Sequence, residues 1–159
     1  MKIHIIGSSG SGKSYFAEKL SKKFNIPHYD LDDIEWKRKY DIENEPETKE
    51  KLLNEILKKD NWIMEGVYHT WCTKCFQDAD RIYILNTSKT LCKIRILRRF
   101  FRRLLKLEKG EVSTFKDTLG LLNWVTEFHD KVMPEIRETL NPYKEKIFEV
   151  RKRDFNNKL

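Results

Sequence analysis

The sequence predicts an α/β fold in three layers, a mostly parallel sheet of five strands with helices on both faces. Two observations carry this expectation. Short apolar runs rich in β-branched and aromatic residues alternate along the 159 residues with longer runs whose apolar positions recur at helical spacing. The first strand and helix are joined by a glycine-rich turn, and acidic residues stand where later strands end, the side on which open parallel sheets bind ligands.

Lys2–Ile6 reads as a short buried strand and Lys13–Phe24 as a helix with Phe16, Leu20 and Phe24 at helical spacing, broken by Asn25-Ile26-Pro27. His28-Tyr29 is a brief second strand leading into Asp30-Leu31-Asp32-Asp33, where Asp33 suits a helix cap. Trp36–Glu45 reads as a polar, aromatic-tipped loop, after which Pro46 opens a helix to Lys59 with Leu52, Leu53, Ile56 and Leu57 as its apolar face. Trp62-Ile63-Met64 is the third strand, stopping at Glu65-Gly66, and Arg81–Leu85 is the fourth. Ser88 or Thr87 caps a long basic helix that Gly110 interrupts. Thr114–Val132 then shows a helical period at Phe115, Leu119, Leu122 and Val125, Pro134 starts a further helix, and Asn141-Pro142 ends it. Lys146–Val150 supplies the fifth strand, before a basic tail at Arg151–Leu159.

The length fits one domain over residues 1–159, large enough for a real core. No stretch has the apolar length that spans a bilayer, and the first residues enter a strand without the layout of a signal peptide, so a cytoplasmic protein without membrane partners is expected. Cys72, Cys75 and Cys92 form no disulfide framework and are expected reduced. His69 and Cys72-x-x-Cys75 resemble half a zinc site but lack the second half, which leaves semi-buried thiols as the reading. The net charge of +7 favours anionic partners: nucleotides, phosphorylated metabolites or nucleic acid. Much of that charge sits in residues 93–109, where Lys93, Arg95, Arg98, Arg99, Arg102, Arg103, Lys106 and Lys109 face a single Glu108.

Gly7-Ser8-Ser9-Gly10-Ser11-Gly12-Lys13-Ser14 is an uninterrupted G-x-x-x-x-G-K-S run between strand and helix, followed by Tyr15. Its glycines allow a backbone path that turns successive N–H groups onto phosphate oxygens; Lys13 reaches the β- and γ-phosphates, and Ser14 has the hydroxyl that ligates Mg²⁺. Asp30 and Asp32, alternate residues leaving the second strand on one side of an extended segment, suit two tasks: supporting Mg²⁺, and orienting or deprotonating an acceptor. A plain acidic turn and cap is the alternative, and the phosphate loop nearby favours chemistry. Glu65 stands at the strand end where such proteins complete the metal shell, with Gly66 allowing close approach and Tyr68, His69 and Trp71 as pocket walls. The arginines of the basic helix read as a lid over about 93–112 whose guanidinium groups fork onto phosphate, with Arg98 and Arg102 preferred, then Arg99. Trp36 stands in the polar loop beyond the acidic pair and is the tryptophan suited to recognition.

With those residues in view, the chain resembles the adenylate-kinase-like branch of small P-loop kinases, and more narrowly the FlaR-related DNA topology modulation proteins. The markers are Gly7–Ser14, Tyr29–Trp36, Trp62–Tyr68, Ala79–Leu85 and Arg95–Arg103, in order over nearly the whole chain. The resemblance implies the P-loop NTPase fold with sheet order 2-3-1-4-5, an acceptor-binding insertion at about 36–60 and an arginine-bearing lid. It implies that the carboxylates at Asp30 and Asp32 serve Mg²⁺ and the acceptor hydroxyl respectively, and that the donor base lies between a lid arginine and Arg151-Lys152-Arg153. Glu65 stands where the family more often has Asp, and the acceptor signature of true adenylate kinases is missing.

The expected function is ATP- and Mg²⁺-dependent phosphoryl transfer to a small nucleotide, nucleoside or other hydroxyl or phosphate acceptor. Gly7 through Tyr15, Arg151 and Arg153 would hold the nucleotide; Ser14, Asp30 and Glu65 the metal; Asp32, Trp36, Gly66 and Tyr68 the acceptor. A nucleotide-switched nucleic-acid-binding regulator is the alternative that the basic helix invites. A signalling GTPase does not fit, because N-K-x-D is absent and Asp117-Thr118-Leu119-Gly120 falls within a helix.

Overall fold

The computed structural model of the chain describes residues 1–38, 41–108 and 114–151, with the side chain of residue 38 left aside. Its frame is a five-stranded parallel sheet built from β1 (Lys2–Ile6), β2 (His28–Asp30), β5 (Trp62–Glu65), β6 (Arg81–Leu85) and β7 (Ile147–Val150), in the order β2-β5-β1-β6-β7. Counted over these five strands, that is the expected 2-3-1-4-5. β1 is central, so its residues have no solvent face and read as a continuous apolar run.

Alternation along the strands splits the interior into two cores. Ile3, Ile5, Ile63, Tyr83 and Leu85 point to one face, where they pack against Phe16, Ala17 and Leu20 of α1 (Lys13–Phe24). Ile6, Trp62, Met64, Ile82 and Ile84 point to the other, against residues of α3 (Pro46–Leu57), α4 (Thr73–Asp78) and α7 (Met133–Thr139) such as Leu53, Phe76 and Ile136. Helices cover both faces, and the sheet's carboxyl edge stays open. Strand register sets that edge: Asp30 pairs with Glu65, and Ile5 pairs with Glu65 from the other side.

Several local expectations change. Trp36–Glu45 is no loop: β3 (Trp36–Arg38) and β4 (Ile42–Glu43) pair antiparallel as a small hairpin. What fixes the hairpin is Lys49 of α3, whose Nζ donates to Glu35 Oε1 at 2.7 Å and Glu43 Oε2 at 3.3 Å, with Asn44 Nδ2 donating to Ile34 O at 2.9 Å. These are contacts across the chain, invisible in local pattern. The segment after Asp30 is not extended, because α2 (Asp32–Glu35) starts at once. Asp33 lies within its first turn and is not its cap; the Asp30 carboxylate instead accepts the Asp32 N–H at 3.0 Å.

Ser88 caps α5 (Lys89–Leu104), accepting from Leu91 N at 3.4 Å, and the capping box of Thr114 with Asp117 starts α6 (Phe115–Glu127). Thr114–Val132 is not uniformly α-helical, since Phe128–Val132 form a π turn that runs directly into α7. Pro134 gives the reason: it brings no N–H to the α ladder, and Met133 N–H bonds Phe128 O, five residues back. Among the described residues no helix is long and apolar enough to cross a membrane.

Candidate functional site

β1 ends at Ile6 in the middle of the sheet, and the chain from Gly7 must turn outward before α1 can begin at Lys13. Gly10 makes that turn with φ +76°, and a Cβ there would lie 2.6 Å from the Cys92 carbonyl oxygen. The loop is tied from outside. Arg95 Nη1 donates to Gly10 O at 3.0 Å and Ser11 O at 2.9 Å, and Thr87 Oγ1 donates to Ser11 O at 3.3 Å. With the Gly10 and Ser11 carbonyls so committed, and the Ser11 N–H donating to Ser8 O at 3.0 Å, the other N–H groups of the loop remain for an anion, reinforced by the positive end of α1. Gly10→Ala is therefore expected to lower the thermal midpoint and weaken ATP binding by about 10-fold, because left-handed strain of ~1–3 kcal/mol adds to a clash with backbone that cannot step aside. Nucleotide titration with a melting curve on the same sample checks it.

The loop opens on a cleft of about 710 Å³. Of the predicted phosphate-binding residues, Gly7, Ser8, Ser9, Gly10, Gly12, Lys13, Ser14 and Tyr15 line it, whereas Ser11 sits behind them, fully buried. Asp30, Asp32, Glu65, Gly66, Trp36 and Tyr68 line the same cleft, so the structure brings the metal and acceptor candidates together.

Glu65 ends β5 with a side chain 2% exposed, and its Oε1 lies 3.2 Å from His28 Nε2. Burial pushes its carboxyl up, but the contact with His28, the Lys13 charge and the Ser14 hydroxyl outweigh burial and hold it below the usual carboxylate value of 4.5. A depressed carboxylate contributes stability that is fully present above the unfolded value and is lost as pH falls through the folded one. Glu65→Gln is therefore expected to flatten the decline of the thermal midpoint in the window below about pH 4.5, and melting curves across that window check it.

Among the candidates for acceptor binding, Tyr68 OH donates to Asp32 Oδ1 at 2.7 Å and receives the Trp36 Nε1–H at 3.2 Å. Burial, then the hydrogen bond and charge of Asp32, push the Tyr68 phenol far up, so it stays protonated and donating. Trp71 stacks on Tyr68, ring centroids 5.5 Å apart, and His69 Nε2 lies 3.4 Å from Glu135 Oε2. Leu121 and Trp124 of α6 and Val132 of the π turn complete the lining.

The arginines divide by helical phase. Arg95 and Arg99, four residues apart, share the face of α5 that lines the cleft. Arg98, exposed, and Arg102, whose Nε donates to Glu108 Oε2 at 3.2 Å, do not line it. The sequence reading passed over Arg95, although its spacing from Arg99 is the signal that the two act on one face. His28 and the α6 wall were also missed. Arg151 is exposed and away from the lining, and Arg153 and residues 109–112 of the expected lid lie outside the described residues. Cys72 and Cys75 are buried free thiols, and among the described residues no three His, Cys, Asp or Glu side chains are gathered as a metal site.

A glycine-rich loop between the central strand and first helix of a parallel 2-3-1-4-5 sheet, with acids at the neighbouring strand ends, defines a P-loop protein of kinase-like fold. The chain belongs to the AAA_18 family, described as an AAA domain, which matches residues 3–113. Among solved structures it is similar to the shikimate kinase from Acinetobacter baumannii in complex with shikimate, with TM-score 0.52 and 20% identity, covering 85% of this chain and 79% of that one. An uncharacterized protein from Eubacterium ventriosum ATCC 27560 superposes with TM-score 0.48 at 17% identity over 96% of this chain and 89% of the other. In sequence the chain is 26% identical over 136 residues, 85% of its length and 76% of the relative's, to the uncharacterized protein YqaC of Bacillus subtilis (strain 168).

Proposed function

We propose that the protein transfers the γ-phosphoryl group of ATP to a hydroxyl of a small acceptor, as an adenylate-kinase-like phosphotransferase of the FlaR-related kind. The observation that carries this reading is the shared cleft: Asp32, held by Tyr68, faces the same space as the phosphate loop and Arg99.

In this reading the loop amides and Lys13 grip the β- and γ-phosphates, and Arg99 neutralises charge on the transferring group. Ser14 and Glu65, in contact with each other, with Asp30 in register beside Glu65, would hold Mg²⁺, since a hydroxyl and a carboxylate kept ionised by its neighbours are hard oxygen donors. Bound there, Mg²⁺ would supply charge neutralisation to the triphosphate. Asp32 orients the acceptor hydroxyl and takes its proton as the new O–P bond forms and the β–γ bridge breaks, leaving ADP with the electron pair. Tyr68, donating to one oxygen of Asp32, fixes the carboxylate for that task. In this reading the hairpin and α3 form the acceptor-side insertion, and α5 carries the two arginines that line the cleft, Arg95 and Arg99.

The test is ADP release from ATP and Mg²⁺ with separate additions of nucleosides, nucleoside monophosphates and polyols. At least one acceptor raises turnover well above hydrolysis; release that no acceptor stimulates contradicts the reading. Salt-sensitive retention of DNA that survives Lys13→Ala is the result that would favour a nucleic-acid role instead.

A further inference from the structure

We infer that the acceptor is an uncharged alcohol carrying a flat ring, of the nucleoside class, and not a nucleotide or a carboxylic acid; this rests on the phosphotransfer reading above. Counting charges around the cleft leads there. Among the described lining residues the cations are Lys13, Arg95 and Arg99, with His69 the remaining basic group. Lys13 Nζ donates to Ser8 O at 3.5 Å and Arg95 is fastened to the loop carbonyls, so both belong to the phosphate end. His69 faces Glu135. That leaves Arg99 as the lining cation with no hydrogen bond or ion pair among the described residues, for a donor that already brings a triphosphate.

A second phosphate or a carboxylate on the acceptor would lie beside Asp32, in a cleft whose other acids, Asp30 and Glu65, the reading above gives to Mg²⁺ and whose cations it gives to the donor. Like charges brought together out of water oppose binding, and the described lining residues offer no further cation to set between them. What the cleft offers instead is aromatic and apolar surface: Trp36 and Tyr68 in the chain of hydrogen bonds to Asp32, and Trp124, Leu121, Val67 and Val132 elsewhere in the lining. Such surface recognises a ring by its face, and the Tyr68–Asp32 pair recognises a hydroxyl by its proton.

The experiment compares kcat/KM for nucleosides, their monophosphates, hydroxy acids such as shikimate, and ring-free polyols, using the full chain with ATP and Mg²⁺. The expected result is a preference of about 10-fold or more for nucleosides over each other class, the scale on which a pocket rejects what it cannot pair. Trp36→Ala is expected to raise the nucleoside KM more than it lowers kcat, while Trp36→Phe restores the KM. A preference for monophosphates or acids overturns the acceptor assignment and leaves phosphotransfer standing; equal use of ring-free polyols overturns the recognition by aromatic faces. Failure of every acceptor to stimulate ADP release, in a protein that still binds ATP, overturns both together. A tryptophan-fluorescence titration with ADP present gives the same comparison without turnover: nucleosides quench at lower concentration than their monophosphates, and the reverse order contradicts the inference.

Discussion

Alanine in place of Lys13 is expected to slow ADP formation by about 10³-fold, the scale set by removing a fixed cation from a transferring phosphoryl group. Lys13 is the first residue of α1, and its ammonium reaches back over the loop to Ser8 O at 3.5 Å, so the loop's own backbone aims it. Two consequences separate this loss from a folding defect. The side chain is not part of either core, so the variant should melt within a few degrees of the parent. Its charge is also one of the causes that keep the Glu65 carboxyl low, so removing it raises that carboxyl and moves acid unfolding to higher pH. Steady-state ADP release and melting curves at neutral and acid pH check the three outcomes together.

Asp32→Asn is expected to lower kcat by about 10²–10⁴-fold, the range for a positioned general base, with little change in ATP affinity. Asparagine keeps an oxygen to accept from Tyr68, and the Trp36–Tyr68 contact does not involve the substituted atom, so the fold around the acceptor survives. What goes is the capacity to take a proton. Tyr68→Phe separates positioning from chemistry: it leaves the carboxylate in place and removes the hydrogen bond that orients it, for a smaller loss. Single-turnover rates with nucleotide affinity measured in parallel distinguish the two variants.

The sheet and the phosphate loop were legible in the sequence because both are written locally. Alternation in runs such as Trp62–Glu65 sets which side chain faces which core, and Gly10 stands where φ must be positive. The hairpin at Trp36–Glu43 was not legible, because strands this short are held by Lys49, Asn44 and Tyr68, contacts from other segments. Nor was the choice among the arginines. A basic helix presents them all, and the face that meets the loop is fixed by packing of Cys92 and Ile96 against Val125 of α6, which turns Arg95 and Arg99 inward. The aromatic part of the cleft lining joins residues from the hairpin, the turn after β5 and α6, far apart in the chain and brought together only by the fold.

Phosphorus NMR of the protein with ATP, Mg²⁺ and a nucleoside acceptor tests transfer most directly, because it reports where the phosphoryl group goes. The predicted result is a phosphate-ester resonance that grows in step with ADP and is lost in Lys13→Ala; formation of inorganic phosphate alone, across the whole acceptor panel, would contradict the account.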